Sequence, residues 1–376
     1  MEKEKILIIF TKYKQYGGEE TIINDELLHL SDRYNTKYLE FSNKNALSLL
    51  FSGFNLFVFF KIILNILSFK PGKIYINNLW FAGSNAVFYA AFVFKNIEIY
   101  YKVHNYRLSC SKGTHFRQNN ICELCNHKSK KHSYKFRCYK NSFLLTFLIN
   151  IFSSIQLRAL KNNKITKIYT LNNLQKEKLI NSGISRSKID VSRNIIDIKK
   201  NDYFREGIDS NTFCFIGRLE EEKGILDLID VWNQLNTKNF KLIIIGEGAF
   251  SKTVEKFAES TNNVEYLGSV SNEKIFDILL DSRALIHPSK WYEGQPTIIL
   301  EAMHSNTPVI SSNISFITTF NTNKDIDTFE LGNNPELLDL IKNYMDDSYY
   351  NEQQKNWSKF ATNFFDLEKY QLNFKK

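Results

Sequence analysis

Continuous apolar runs alternate with longer mixed stretches along most of the chain. Lys5–Phe10, Lys73–Asn77, Glu98–Val103, Phe213–Ile216, Lys241–Ile245 and Val264–Gly268 are short and rich in β-branched or aromatic residues. They read as strands buried on both faces, as in a parallel sheet. Lys37–Phe41, Lys167–Tyr169, Lys188–Val191, Ala284–Ile286 and Val309–Ile310 are further strands. Between them, helical stretches are expected at Asn45–Phe69, Trp80–Phe94, Phe143–Leu160 and Asn172–Ser182, and later at Thr297–Met303, Pro335–Tyr344 and Asn351–Tyr370. Strands alternating with helices predict an α/β protein with doubly wound parallel sheets.

At 376 residues the chain exceeds one core of ordinary size. The polar segment 197–211 reads as a linker, giving domains 1–196 and 212–348 and a terminal helix over 349–376. In that helix Trp357, Phe360 and Phe364 form an apolar stripe expected to be buried. The greasy stretch Ala46–Phe69 is interrupted by Asn55, Lys61 and Asn65, so it reads as an amphipathic or buried helix and not a span. Ile6–Phe10 is too short for the apolar region of a signal peptide, and the chain is expected in the cytoplasm with its cysteines reduced.

Charge adds a local feature. Lys102–Lys140 holds ten basic residues and one acid, Glu123, so this segment accounts for the whole net charge of +9. The run with Lys128, Lys130, Lys131, Lys135, Arg137 and Lys140 is either a solvated loop or a contact for an anionic membrane surface, to which Tyr134, Phe136 and Tyr139 add interfacial area. No stacking platform or known module points to nucleic acid. Within the same insertion, 105–140, Cys110, Cys122, Cys125 and Cys138 are spaced C-x11-C-x2-C-x12-C. In a segment short of core residues this pattern predicts a structural zinc, with disulfides, an iron–sulfur cluster or no ligand as alternatives.

The candidate chemistry lies at loops following strands. Gly217-Arg218 and Lys223, in GRLEEEKG, put two cations beside a helix start. Downstream, Glu293 precedes and Glu301 lies within a helix opened by Gly294-Gln295-Pro296-Thr297. The open N–H groups of such a helix start are an anion site, and a carboxylate further along can reach sugar hydroxyls. Gly17-Gly18 follows the first strand, as a plain turn or as a place where backbone can approach a ligand, and Gly246 opens a tight turn after the strand Lys241–Ile245. His104 stands at the end of Glu98–Val103, and His287 past Ala284–Ile286 is read as structural.

The segment EGQPTIILEAMHSNTPVI, flanked by Pro288-Ser289, resembles the E-x7-E signature of glycosyltransferase family 4. Members are retaining nucleotide-sugar transferases with the GT-B fold, two Rossmann-like domains facing a cleft. Ser305-Asn306 replaces the Cys-Gly common before T-P-V-I, and Ile195 replaces a Gly at the hinge. The resemblance also takes in GRLEEEKG, and the four-cysteine insertion resembles one bacterial subset. It implies that Arg218 and Lys223 hold the donor diphosphate, Glu301 the ribose and Glu293 the donor sugar. His104 would contact that sugar, Gly17-Gly18 would face donor phosphates and acceptor, Gly246 would flank the nucleotide and Ser269–Ser271 the base. No catalytic metal is expected. The implied activity is transfer from a nucleotide sugar to a saccharide or lipid-linked saccharide of cell-surface polysaccharide, peripherally at the inner membrane face. Transfer to a small metabolite, or a zinc-stabilised nucleotide-binding protein without turnover, are the alternatives.

Overall fold

The computed structural model describes residues 3–12, 18–43, 53–125, 129–194, 210–235, 237–321, 326–365 and 374. Contacts divide the chain into two compact units. One holds residues up to His115 and Cys122–Ile196; the other holds Phe116–Ile121 and everything from Asp197.

The chain runs first through β1 (Lys5–Lys12), α1 (Gly18–Arg33), β2 (Asn35–Ser42), α2 (Leu56–Phe69), β3 (Lys73–Asn77), α3 (Ala86–Phe92) and β4 (Glu98–Val103). A two-stranded hairpin, β5 (Phe116–Arg117) and β6 (Asn120–Ile121), precedes α4 (Lys131–Lys135), α5 (Phe143–Leu160), β7 (Ile165–Thr170), α6 (Asn173–Asn181) and β8 (Ile189–Val191). The first sheet is six parallel strands in the order β2-β1-β3-β4-β7-β8. Central β1 and β3 are buried on both faces, which is why their sequences are unbroken apolar runs. At the edge, β2 buries only Leu39 and Phe41 and leaves Tyr38 and Glu40 exposed. Helices α2, α5 and α6 start where Asn55, Ser142 and Asn172 accept an N–H from three residues on.

The second unit contains β9 (Thr212–Ile216), α7 (Ile225–Trp232), β10 (Lys241–Ile245), α8 (Ser251–Ser260), β11 (Val264–Gly268), α9 (Asn272–Leu280) and β12 (Ala284–His287). It continues with α10 (Thr297–His304), β13 (Val309–Ser312), α11 (Ser315–Phe320), β14 (Thr328–Phe329), α12 (Asn334–Tyr344) and α13 (Asp347–Phe365). Its sheet is parallel, ordered β11-β10-β9-β12-β13-β14. The chain thus builds outward from β9 to β11, then returns to the other side of β9 with β12. That reversal is the dinucleotide-fold topology, and its crevice lies at the carboxyl ends of β9 and β12.

Arg283, 1% exposed, fixes α12 and α13 to this sheet. It donates to the Tyr344 carbonyl at 2.5 Å, pairs with Asp347 at 2.6 Å and stacks on Tyr350. The stripe Trp357–Phe360–Phe364 is buried, and the Trp357 indole donates to the Ala302 carbonyl of α10 at 3.4 Å. Residues 366–373 of the terminal helix 349–376, which the GT-B resemblance would carry back to the first domain, lie outside the described residues, as do most of the linker and Ile195.

Candidate functional site

The loops after β9 and β12 are locked together by backbone. Gly224 takes a left-handed φ of 74°, and a Cβ there would lie 1.9 Å from the Pro288 carbonyl oxygen. The Lys290 N–H donates to the Glu222 carbonyl at 2.8 Å. Gly246, at φ 131°, lets the β10 turn meet the loop after β9; its Cβ would lie 1.9 Å from the Gly217 carbonyl oxygen. Only glycine fits such approaches. They set Lys223, just before Gly224, beside the loop carrying Glu293.

Lys223 Nζ and Glu293 Oε1 form an ion pair at 2.6 Å, both side chains largely buried. The same oxygen accepts from Ser289 Oγ at 2.8 Å and from the Trp291 indole at 2.6 Å. Burial pushes the Glu293 carboxyl up, but the charge of Lys223 and its hydrogen-bond donors outweigh it and hold it below the usual range. His287 lies 3.9 Å from Glu293 Oε1. Burial, with Lys223 adding to it, drives His287 down to about 4 against the opposing pull of Glu293, so it is neutral at pH 7.

Arg218 differs from Lys223. Its side chain is 57% exposed, touching Glu222 at 3.4 Å, and stands open at the end of β9. Gly217 directly follows the same strand. In the β12 loop, Gln295 and Pro296 are buried and Gly294 half-buried. Pro296 is the residue before the helix and not within its first turn; α10 begins at Thr297 with no side chain capping its N–H groups. Those donors are therefore available to an anion. Glu301 is half-buried on this helix. The structure thus brings together Arg218, Lys223, Glu293 and the start of α10 at the carboxyl end of one sheet. Ser289 and Trp291, unassigned from sequence, complete the Glu293 setting, although Ser289 lay in the flanking motif. Lys290, also unassigned, is buried and pairs with Asp227 at 2.9 Å.

In the first unit His104 is 8% exposed, beside a cavity of about 20 Å3. Its Nε2 lies 2.8 Å from Asn77 Oδ1, while Asn77 Nδ2 lies 3.4 Å from Glu26 Oε2. With the Asn77 amide turned that way, Nε2 carries the proton and Nδ1 the lone pair. Glu26 also accepts from Tyr75 at 2.9 Å and contacts buried Lys102. Burial, then Lys102, lowers His104 to about 3. Gly18 is the first residue of α1; Gly17 lies outside the described residues.

The zinc expectation gains no support from the described residues. Cys110, Cys122, Cys125 and Cys138 are half-buried thiols, and among the described residues no group of three or more His, Cys, Asp or Glu is arranged to hold a metal ion. Polar contacts hold the insertion. Ser111 donates to Asn150 Oδ1 at 2.6 Å, Asn150 to Ser133 at 2.8 Å, and Ser109 pairs with His115 at 2.8 Å. The buried ammonium of Lys130, lowered to about 8 by burial, faces Cys110 and Cys125, placing a cation of the chain's own beside those thiols. His127 and Lys128 lie outside the described residues.

Residues 199–364 match the family described as "Glycosyl transferases group 1". The capsular polysaccharide biosynthesis glycosyltransferase CapH of Staphylococcus aureus is 28% identical over 57% of this chain and 58% of that protein. An uncharacterized glycosyltransferase of Methanocaldococcus jannaschii is 38% identical over 28% of this chain and 26% of its own length. These relatives are therefore matched over less than two thirds of their length. The crystal structure of HepE from Anabaena in complex with UDP and glucose superposes with a TM-score of 0.66 at 16% identity, covering 96% of this chain and 95% of that one. Identity this low speaks of fold alone. The chain accordingly has the α/β GT-B fold, with two Rossmann-like parallel-sheet units, and its second unit carries the region similar to group 1 glycosyl transferases.

Proposed function

We propose that the chain is a retaining glycosyltransferase that moves a sugar from a nucleoside diphosphate sugar to a saccharide or lipid-linked saccharide, in the synthesis of cell-surface polysaccharide. The carrying observation is the Lys223–Glu293 pair beside Arg218 and the uncapped start of α10, at the switch point of the second sheet. The resemblance to family 4, the naming of CapH for capsule synthesis and the UDP and glucose of the HepE complex support the reading.

Domain 212–348 binds the donor in this scheme. Arg218 and Lys223 neutralise the departing diphosphate, aided by the N–H groups at the start of α10. Glu293 fixes Lys223 and contacts the donor sugar; Glu301 holds the ribose. Domain 1–196 takes the acceptor, with His104 toward the donor sugar. The leaving phosphate oxygen accepts the acceptor proton on the face it departs from, so the anomeric configuration is kept without a separate base. The enzyme acts in the cytoplasm.

Screening nucleotide sugars with NMR detection of released or transferred sugar tests this. One donor is expected to be turned over with its anomeric configuration retained. An inverted product contradicts the retaining mechanism. Tight binding with no turnover favours a nucleotide-binding protein, and no binding of any donor removes the reading.

A further inference from the structure

Helix α2 is apolar on both sides. Val58, Ile62 and Ile66 face the sheet, while Leu56, Phe57, Phe60, Leu64 and Leu67 point outward, Phe57 being 75% exposed and Leu64 65%. Its few polar groups make little demand on water. Asn65 donates to the Lys61 carbonyl, Ser68 to the Asn65 carbonyl, and the Lys61 ammonium lies over the Phe41 ring.

Helix α5 repeats this arrangement. By length and composition it could cross a bilayer, but Ile149, Phe152, Ser153 and Gln156 are packed inside the fold. Its outward side shows Phe143, Leu144, Phe147 and Ile151. The two surfaces adjoin within one unit, because Gly53, two residues before the α2 cap, lies against Ile151 and Ile155. Most of the exposed large apolar side chains among the described residues thus gather on two neighbouring helices, whereas scattered exposure is the norm for a soluble surface.

Charge identifies the occupant. Neither α2 nor α5 contains an Asp or Glu. At one end the Tyr134 ring of α4 packs at a tilt against Phe143 and Phe147, with ring centroids 5.8 and 6.4 Å away, joining the apolar surface to Lys131, Lys135, Arg137 and Lys140. An apolar face with a basic rim and no acid on either helix complements an anionic bilayer. A second protein would need acidic groups around an apolar patch of matching shape.

We propose that the outward faces of α2 and α5 form one surface that seats on an anionic lipid bilayer, with the basic segment Lys131–Lys140 at its edge. The site differs from the expected loop contact in that apolar insertion supplies part of the affinity and the basic rim the lipid preference. It is independent of the transferase reading, since none of these side chains belongs to the donor site.

Flotation of the full chain with vesicles of phosphatidylcholine and phosphatidylglycerol, against phosphatidylcholine alone, tests it. The protein should float with the anionic vesicles. The pairs Phe57→Ser/Phe60→Ser and Phe143→Ser/Phe147→Ser should each weaken binding about tenfold or more. Lys131→Glu/Lys135→Glu should weaken it by a similar factor at low salt and abolish the preference for anionic lipid. Thermal melting of each variant near that of the parent establishes that the fold is intact, and donor turnover in solution should be unchanged. Vesicle binding that survives both phenylalanine pairs overturns the proposal. So does a chain that ignores vesicles and is instead a dimer by light scattering, dissociated by the same substitutions.

Discussion

Lys223→Ala should lower kcat on the donor identified by the screen by about 10²–10³-fold, the loss seen when one preorganised charge or donor is removed from a developing anion. KM should change less, because the lysine is invoked for the charge that builds on the diphosphate as the sugar leaves. The substitution also leaves the buried Glu293 carboxylate with Ser289 and Trp291 as donors but without its cation. A loss of stability on the order of 3 kcal/mol accompanies the breaking of such a pair. Urea unfolding of the variant separates this from chemistry. Steady-state rates on protein shown to be folded should still be reduced by two orders of magnitude or more. A folded variant with parental kcat would remove Lys223 from the diphosphate site.

Acid should destabilise the protein well above the pH at which carboxylates titrate. His104 and His287 are buried and neutral in the fold, lowered to about 3 and about 4 from 6.5. Below pH 6.5 the unfolded chain takes up protons at both histidines while the folded chain cannot, so stability falls as pH falls. The loss begins near pH 6.5 and continues to about pH 4 for His287 and about pH 3 for His104. Between pH 6.5 and 5 it amounts to roughly 2 kcal/mol per histidine. Urea midpoints across that interval measure it with little contribution from carboxylates. His287→Gln should flatten the slope by about half. A midpoint independent of pH over this interval would show that neither ring is held neutral by burial.

The sheets were legible in the sequence because parallel strands buried on both faces must be apolar throughout; Lys73–Asn77, Glu98–Val103 and Lys241–Ile245 appear with the bounds their patterns predict. Helix starts were less so. Of the stretch expected from Asn45, residues 44–52 lie outside the described residues, and the helix described starts at Leu56, where the Asn55 side chain caps it. The stretch expected from Trp80 starts at Ala86, since Phe81 and Ser84 take left-handed φ of 59° and 52° in the preceding turn. Composition does not reveal such turns.

The site was legible where its chemistry follows strand ends in order, as with Arg218, Lys223 and Glu293. It was not legible where folding brings a loop back on itself: Ser289 and Trp291 converge on one oxygen of Glu293. The zinc expectation rested on the cysteine spacing and on a segment short of core residues, and neither reveals a polar network. Asn150, on a helix distant in sequence from Ser111, bonds to both Ser111 and Ser133 and ties the insertion to that helix.

The most direct measurement is a crystal structure of the protein soaked with its donor or with the corresponding nucleoside diphosphate. The diphosphate is expected in hydrogen-bond contact with Arg218 and Lys223 and with the N–H groups at the start of the helix Thr297–His304. A nucleotide bound elsewhere, with those groups still facing only protein or solvent, would contradict this expectation.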